Sequence, residues 1–316
     1  MTGLNHSYPE GASLALIDRL QPVPAGSGFR MDGYWVWGGS LQRVDGTYHL
    51  FASRWPKDGP FPEGYRRHSE IVRATAQTLT GPYTFQEVVI GKRDPAFWDS
   101  GMAHNPTIQR TGEGYILFYI GSDSVTTQPN GRDLLRRVGF ATNPHITGPW
   151  QRSAQPVIPQ ESNNPAALIG DDGSVRLLFR DTQLRVYAAS APAFSGPYTI
   201  QNDNVWPACP LEDFALFANE AGIHCICEDN VGGVSGQTRW GVHLISPDGM
   251  HAWRKFDPVV AYDHDIRLTS GGTLHCTRRE RPQLLVEGGK ITGLLTAVYD
   301  GKDSWCQPVA VEPAYE

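Results

Sequence analysis

The chain has 316 residues, a formal net charge of -6 at pH 7, 34 glycines, 24 prolines, 9 tryptophans and 12 tyrosines. The mild acidity and the dispersed Lys and Arg exclude the basic footprint of a nucleic-acid binder and offer no charged block for a membrane surface. Abundant turn-forming residues and no long stretch of helical apolar spacing point to all-β structure in one large domain, residues 1–316. No apolar run approaches the roughly 18 to 20 residues of a spanning helix. Residues 1–10 have neither the basic start nor the apolar core of a secretory signal, so a cytoplasmic location is expected.

Residues 1–30 read as an irregular lead-in with one short helix over 14–20. Phe29-Arg30-Met31-Asp32-Gly33-Tyr34-Trp35-Val36-Trp37 then carries an acid and several aromatics into a first strand–turn–strand unit, Trp37-Gly38-Gly39-Ser40-Leu41 through Asp45-Gly46 to Tyr48-His49-Leu50-Phe51-Ala52. The aromatics either pack between sheets or offer faces on which a sugar ring stacks. A long Pro-Gly-rich loop, residues 55–68, follows, and long ordered loops on a rigid scaffold are often functional. Val72-Arg73-Ala74-Thr75 leads to a Gly81-Pro82-Tyr83 turn.

The same frame returns four times. Trp98-Asp99 precedes His104-Asn105-Pro106-Thr107-Ile108, which turns at Gly112-Glu113-Gly114 into Tyr115-Ile116-Leu117-Phe118-Tyr119, with a polar insertion over 124–136 and a Gly148-Pro149-Trp150 turn beyond. Asn163-Asn164-Pro165-Ala166-Ala167 turns at Asp171-Asp172-Gly173 and is followed by Gly196-Pro197-Tyr198. Leu211-Glu212-Asp213-Phe214 turns toward Gly222-Ile223-His224-Cys225-Ile226-Cys227 and ends in Glu228-Asp229; its later Gly-Pro is missing. Arg278-Arg279-Glu280-Arg281-Pro282 opens the fifth unit and turns at Gly288-Gly289. Five repeats of hairpin, third strand and aromatic-started fourth strand predict a five-bladed β-propeller of four-stranded antiparallel blades around a central channel.

In a propeller the innermost strands line one channel, so the residues that open them converge. Trp37, His104, Asn105, Asn163, Asn164, Glu212, Asp213, Glu280 and Arg281 are those residues. Within the Glu212-Asp213 pair, strand alternation sends one side chain into the channel and the other away. Asp229 is a further candidate beside them. Carboxylates, amides, Arg, His and Trp in one funnel suit a polyhydroxylated ligand, and two carboxyls flanking a glycosidic bond act as acid and as base or nucleophile. An Arg beside carboxylates holds them ionised, binds a substrate carboxylate, or belongs to a structural ion-pair network.

The Asn164-Pro165-Ala166-Ala167-Leu168-Ile169-Gly170-Asp171-Asp172-Gly173 unit and the Gly-Pro-Tyr/Trp turns resemble the blades of the five-bladed propeller glycoside hydrolases of families 43, 32, 68 and 117, over nearly the whole chain. In the family 43 pattern the fourth blade opens with a Glu that serves as general acid; the resemblance implies that role for Glu212. The pattern places an Asp base where this chain has Gly38-Gly39-Ser40, and a tuning Asp where it has Asn164. Asp32 and Asp99 are the candidates for base or nucleophile, with Asp213, Asp229 and Glu280 in reserve. The expected function is an exo-acting glycosidase on a small oligosaccharide or polysaccharide end. The alternatives are a transglycosylase or phosphorylase using Arg279 and Arg281 as an anion site, a non-catalytic carbohydrate-binding propeller, and a protein-interaction propeller. The expected partner is an oligosaccharide; no cofactor is called for, and a structural cation in the channel is compatible but not indicated. The five cysteines, Cys209, Cys225, Cys227, Cys276 and Cys306, show no zinc-like spacing and are expected to be reduced.

Overall fold

A computed structural model describes residues 15–128, 131 and 133–312. Five antiparallel sheets stand around a channel, and in each the strands pair in the order in which they occur. The innermost strands are Tyr34–Val44, Met102–Thr111, Asn163–Ile169, Leu211–Asn219 and Arg278–Glu287. The first hairpin illustrates how local chemistry sets register. Asp45 and Gly46, the two residues between Val44 and its partner Thr47, both have positive φ, the backbone that a tight two-residue hairpin demands and that Asp-Gly supplies. In the Gly-Pro-Tyr turns the tyrosine closes the loop on itself: Tyr83 and Tyr198 donate to the carbonyls of Leu79 and Phe194 at 2.8 and 3.0 Å.

The core is divided among the seams between blades. Phe51 and Ile71 of the first blade meet Leu117 and Tyr119 of the second. Ile116 and Phe118 meet Leu177 and Phe179 of the third. Ala166 and Leu178 meet Phe214 and Cys225 of the fourth, and Ile226 meets Leu294 and Val298 of the fifth. The fifth seam, Leu285 and Leu295 against Val36, Leu50 and Val72, closes the circle. A sheet with two apolar faces is stable only between neighbours, which is why the repeat folds as a ring.

The ring is locked by the lead-in. Three strands of the fifth blade come from the C-terminal part of the chain, ending with Ser304–Ala310. The lead-in lies along that last strand through bridges between Leu20 and Val311 and between Phe29 and Cys306. Phe29 and Cys306 exchange backbone hydrogen bonds of 2.8 and 3.2 Å, and Gly28 is needed beside them because a Cβ would stand 2.6 Å from the Cys306 carbonyl oxygen. The short helix occupies Leu16–Arg19. All five cysteines are unpaired thiols, four of them buried.

Candidate functional site

Each innermost strand carries an irregularity at the same height, and that of the fifth blade has a second between Leu285 and Val286. The ladder slips between Trp37 and Gly39, between His104 and Thr107, between Glu212 and Ala215 and between Glu280 and Gln283, and in the third blade opposite Leu178 and Arg180. At every slip one residue has left-handed backbone: Gly38, Asn105, Asn164, Asp213 and Arg281, with φ between 38° and 59°. Gly, Asn and Asp tolerate that region, and Arg does so only under strain of order 1 kcal/mol or more. In three blades the next residue is proline, Pro106, Pro165 or Pro282, which has no N–H to give the ladder and is at home in a bulge.

The bulge re-aims side chains. In a regular strand neighbours face opposite ways, yet Glu212 and Asp213 both line the cavity, as do His104 with Asn105, Asn163 with Asn164 and Glu280 with Arg281. The expectation that one of Glu212 and Asp213 points away is therefore corrected, because the extra residue of the bulge turns both inward.

The left-handed residues form a closed ring. Asn105 Nδ2 donates to Asn164 Oδ1 at 3.0 Å, and Asn164 Nδ2 to Asp213 Oδ1 at 2.6 Å. Arg281 donates to Asp213 from its backbone N–H at 3.2 Å and from Nη1 at 3.4 Å. Gly38 completes the circle: a Cβ there would fall on Asn105 Oδ1 and lie 3.5 Å from Arg281 Cγ. Gly38→Ala is accordingly expected to lower stability by about 1–3 kcal/mol and to displace Asn105. A thermal-denaturation midpoint equal to that of the wild type would contradict this.

Above the ring sits a cavity of about 180 Å³. Its walls are Trp37, His104, Asn163, Glu212 and Glu280, the residues one before each bulge residue, and Arg180, which pairs with Asn163 across the third blade. The two long loops roof it. Phe61, Pro62, Tyr65 and Arg66 come from residues 55–68, and Arg136 from the 124–136 insertion. The roof is pinned by aromatic contacts of Phe61 with Tyr299 (4.5 Å between centroids) and Trp37 (4.9 Å), and by a 2.6 Å bond from Arg136 Nη1 to the Tyr65 hydroxyl. His104 stacks on Tyr65 at 4.7 Å and hydrogen bonds Ser69 through Nδ1 at 2.8 Å. Burial, with Arg281 and Arg136 adding to it, holds its pKa well below the usual range, so it is a neutral imidazole.

Four carboxyls meet four guanidinium groups here. Glu212 takes one bond from Asn230 (2.5 Å) and one from Arg180 (2.7 Å). Glu280 takes three, from Arg278 Nε and Nη2 at 2.5 and 2.8 Å and from Arg239 at 2.8 Å. The same Arg239 Nη1 stands 2.8 Å from Glu228 and 4.0 Å from Glu212. Asp213, Glu228 and Glu280 offer oxygens within 4.8 Å of one another, a spacing that suits a cation; the Arg239 guanidinium supplies the positive charge at two of them.

Asp213 is the member whose titration is displaced toward neutrality. Burial pushes it up, Arg281 opposes, and Glu212 and Glu280 add to the rise, leaving it at about 7. Burial and the neighbouring acids likewise hold Glu228 well above the usual carboxyl range. A folded-state pKa above the unfolded value means that the native state keeps a proton the unfolded chain has lost. Asp213 therefore favours folding most at low pH, and its contribution is lost as pH rises from about 4 to about 7. Urea denaturation across that window should show wild-type stability falling more steeply than that of Asp213→Asn, by up to about 1.4 kcal/mol per pH unit. Parallel profiles would remove the proton from Asp213.

Several sequence candidates stand elsewhere. Asp32 lies exposed in the turn before the first strand, outside the cavity lining. Asp99 is buried but closed off: Arg93 and Arg152 pair with it, and the Tyr119 hydroxyl donates to it at 2.6 Å. Asp229 organises the turn after its strand by accepting from the backbone N–H groups of Gly233, Val234 and Ser235. These three are corrected as site residues because their oxygens are turned to solvent or spent on structure. Arg279 also faces away, bonded to Thr296 and to the carbonyls of Asp263 and Asp265. Trp37 does line the cavity, whereas Trp35 packs against Phe61 and Tyr299, and Tyr34 against Arg54. Arg180, Arg136, Arg239 and Tyr65 were not among the candidates. Arg180 was countable, since a strand antiparallel to Asn163–Ile169 ends there; the others depend on loop packing.

No family model matches the sequence, and no curated protein matches it. Solved structures do match. A family 117 glycoside hydrolase of the marine bacterium Zobellia galactanivorans superposes with a TM-score of 0.64 at 15% identity over 92% of this chain and 89% of that one. The alpha-L-arabinofuranosidase of Podospora anserina, solved in complex with cellotriose, gives 0.65 at 14% identity over 96% and 99%. A GH43_1 enzyme from Xanthomonas citri gives 0.63 at 13% over 92% and 95%. This chain has the fold of the five-bladed glycoside hydrolases. Against that propeller background, its first and third blades carry Gly38 and Asn164 at the ring, and its only ring carboxyl is Asp213 of the fourth.

Proposed function

We propose that the protein is an exo-acting glycoside hydrolase that admits one terminal sugar unit of an oligosaccharide or polysaccharide into the ring cavity and cleaves the bond to the next. The observation that carries this reading is the bulge that turns Glu212 and Asp213 together into one cavity, with Glu280 of the adjacent blade beside them. A cavity of about 180 Å³ roofed by two loops suits a single ring rather than a chain, since pockets for larger ligands begin near about 300 Å³.

Burial and the neighbouring Glu212 and Glu280 keep a proton on Asp213 up to about 7, beside the Glu212 carboxyl. Glu212, with 12% of its side chain accessible, is the member open to a ligand. It delivers the proton to the leaving glycosidic oxygen as the C–O bond breaks. Glu280, oriented by Arg278 and Arg239, faces the positive charge that develops on the sugar ring and serves as base or nucleophile. Trp37, His104, Asn105 and Asn164 hold ring hydroxyls and an apolar sugar face.

A non-catalytic sugar-binding propeller is the second reading, favoured by Gly38 and Asn164 where the related pattern has carboxylates. Hydrolysis of a panel of aryl glycosides and plant or microbial oligosaccharides separates the two. Release of one terminal sugar supports the hydrolase and names the unit; saturable binding without cleavage supports the second reading.

A further inference from the structure

The cavity holds more positive than negative side chains: five arginines, Arg66, Arg136, Arg180, Arg278 and Arg281 among them, against Glu212, Asp213 and Glu280. Three arginines are matched, Arg180 to Glu212, Arg278 to Glu280 and Arg281 to Asp213. Arg66 stands at the mouth near Glu63, at 4.0 Å. Arg136 is different. It is 8% exposed, and among the described residues its side chain has no carboxylate partner and one hydrogen-bonded neighbour, the Tyr65 hydroxyl. Its Nε is buried with nothing to donate to, as are Nε and Nη2 of Arg281, the edge of the guanidinium that binds planar anions side-on. His104, a neutral imidazole in the same wall, supplies no counter-charge. A buried cation without an anion is costly to keep, and it is kept where a ligand supplies the anion.

We propose that the sugar unit this cavity takes is acidic, carrying a carboxylate or sulfate group that Arg136 and Arg281 bind. The proposal rests on the glycoside hydrolase reading and narrows its substrate class. Planar forked donors fit both groups. The carboxylate is the better match to the small volume, because a uronic acid adds no atoms beyond the ring plane's own exocyclic carbon and two oxygens, while a sulfate ester adds four heavy atoms to a hydroxyl oxygen.

Calorimetric titration at neutral pH and low salt tests it with glucuronate and galacturonate, their neutral counterparts glucose and galactose, and glucose 6-sulfate. At least tenfold tighter binding of an acidic sugar than of its neutral counterpart is expected, with the preference lost in Arg136→Gln and only partly kept in Arg136→Lys, whose point charge lacks the fork. Preference for the sulfate over the uronates keeps the anionic subsite and assigns it to sulfated sugars. Equal affinity for acidic and neutral sugars by the wild-type protein overturns the inference and leaves the hydrolase standing. If no sugar of either kind binds and no glycoside is cleaved, the hydrolase reading falls and this proposal with it.

Discussion

Glu212→Gln is expected to lower kcat by about 10²- to 10⁴-fold, the usual worth of a general acid or base, with KM close to that of the wild type. The amide keeps the size and reach of the side chain, and it keeps one oxygen for a donor. Its NH2 cannot accept, so either the Asn230 or the Arg180 bond is lost; that costs about 1–2 kcal/mol of stability and should leave the protein folded. Activity on aryl glycosides with good leaving groups should suffer least, because those groups need little protonation. A uniform loss across leaving groups would point to Glu212 as base or nucleophile and shift the acid's role to Asp213. Unchanged turnover would take Glu212 out of the mechanism.

Arg281→Met should be the most destabilising single change at the ring. Arg281 is 1% exposed and, among the described residues, is the only guanidinium paired with Asp213, itself buried. Removing one partner of such a pair strands the other, at about 3–5 kcal/mol. The cost has a signature in pH. Asp213 already holds a proton up to about 7 because burial outweighs Arg281, and without that cation its pKa rises further. Below about pH 7 the carboxyl is neutral in both proteins and the loss shrinks; above it the loss grows with pH until the raised pKa is passed. Urea unfolding at pH 6 and pH 8.5 measures the difference. An equal loss at both would mean that Arg281 contributes by packing alone.

Much of the ring was readable before any coordinates. Asn105-Pro106, Asn164-Pro165 and Arg281-Pro282 put a proline inside a strand pattern, which a ladder admits at an edge or a bulge, and Gly38 marks the same place in the first blade. Local chemistry thus announced where four of the five inner strands break register. Its consequence for side-chain direction was missed for Glu212 and Asp213, since period-two alternation is the default until the bulge is placed. Asp32 and Asp99 show the opposite failure. Each is an acid just ahead of an inner strand, yet whether its carboxyl meets solvent, an arginine or the channel is settled by packing: for Asp99 by Arg93, Arg152 and Tyr119, which only the fold brings against it.

The repeat, the hairpin turns and the residues that open each inner strand are properties of short stretches, so the sequence by itself determined the five-bladed ring and nominated nine positions at its channel. The tertiary structure alone decided which of them share a cavity, that the lead-in closes the fifth blade, and that Arg136 arrives over the site from a loop with no acid among the described residues to meet it. The physical reason is range. Backbone preference and hydrophobic period act over a few residues, whereas the charge balance and proton affinity of a site are sums over side chains that only the closed ring brings within a few ångström.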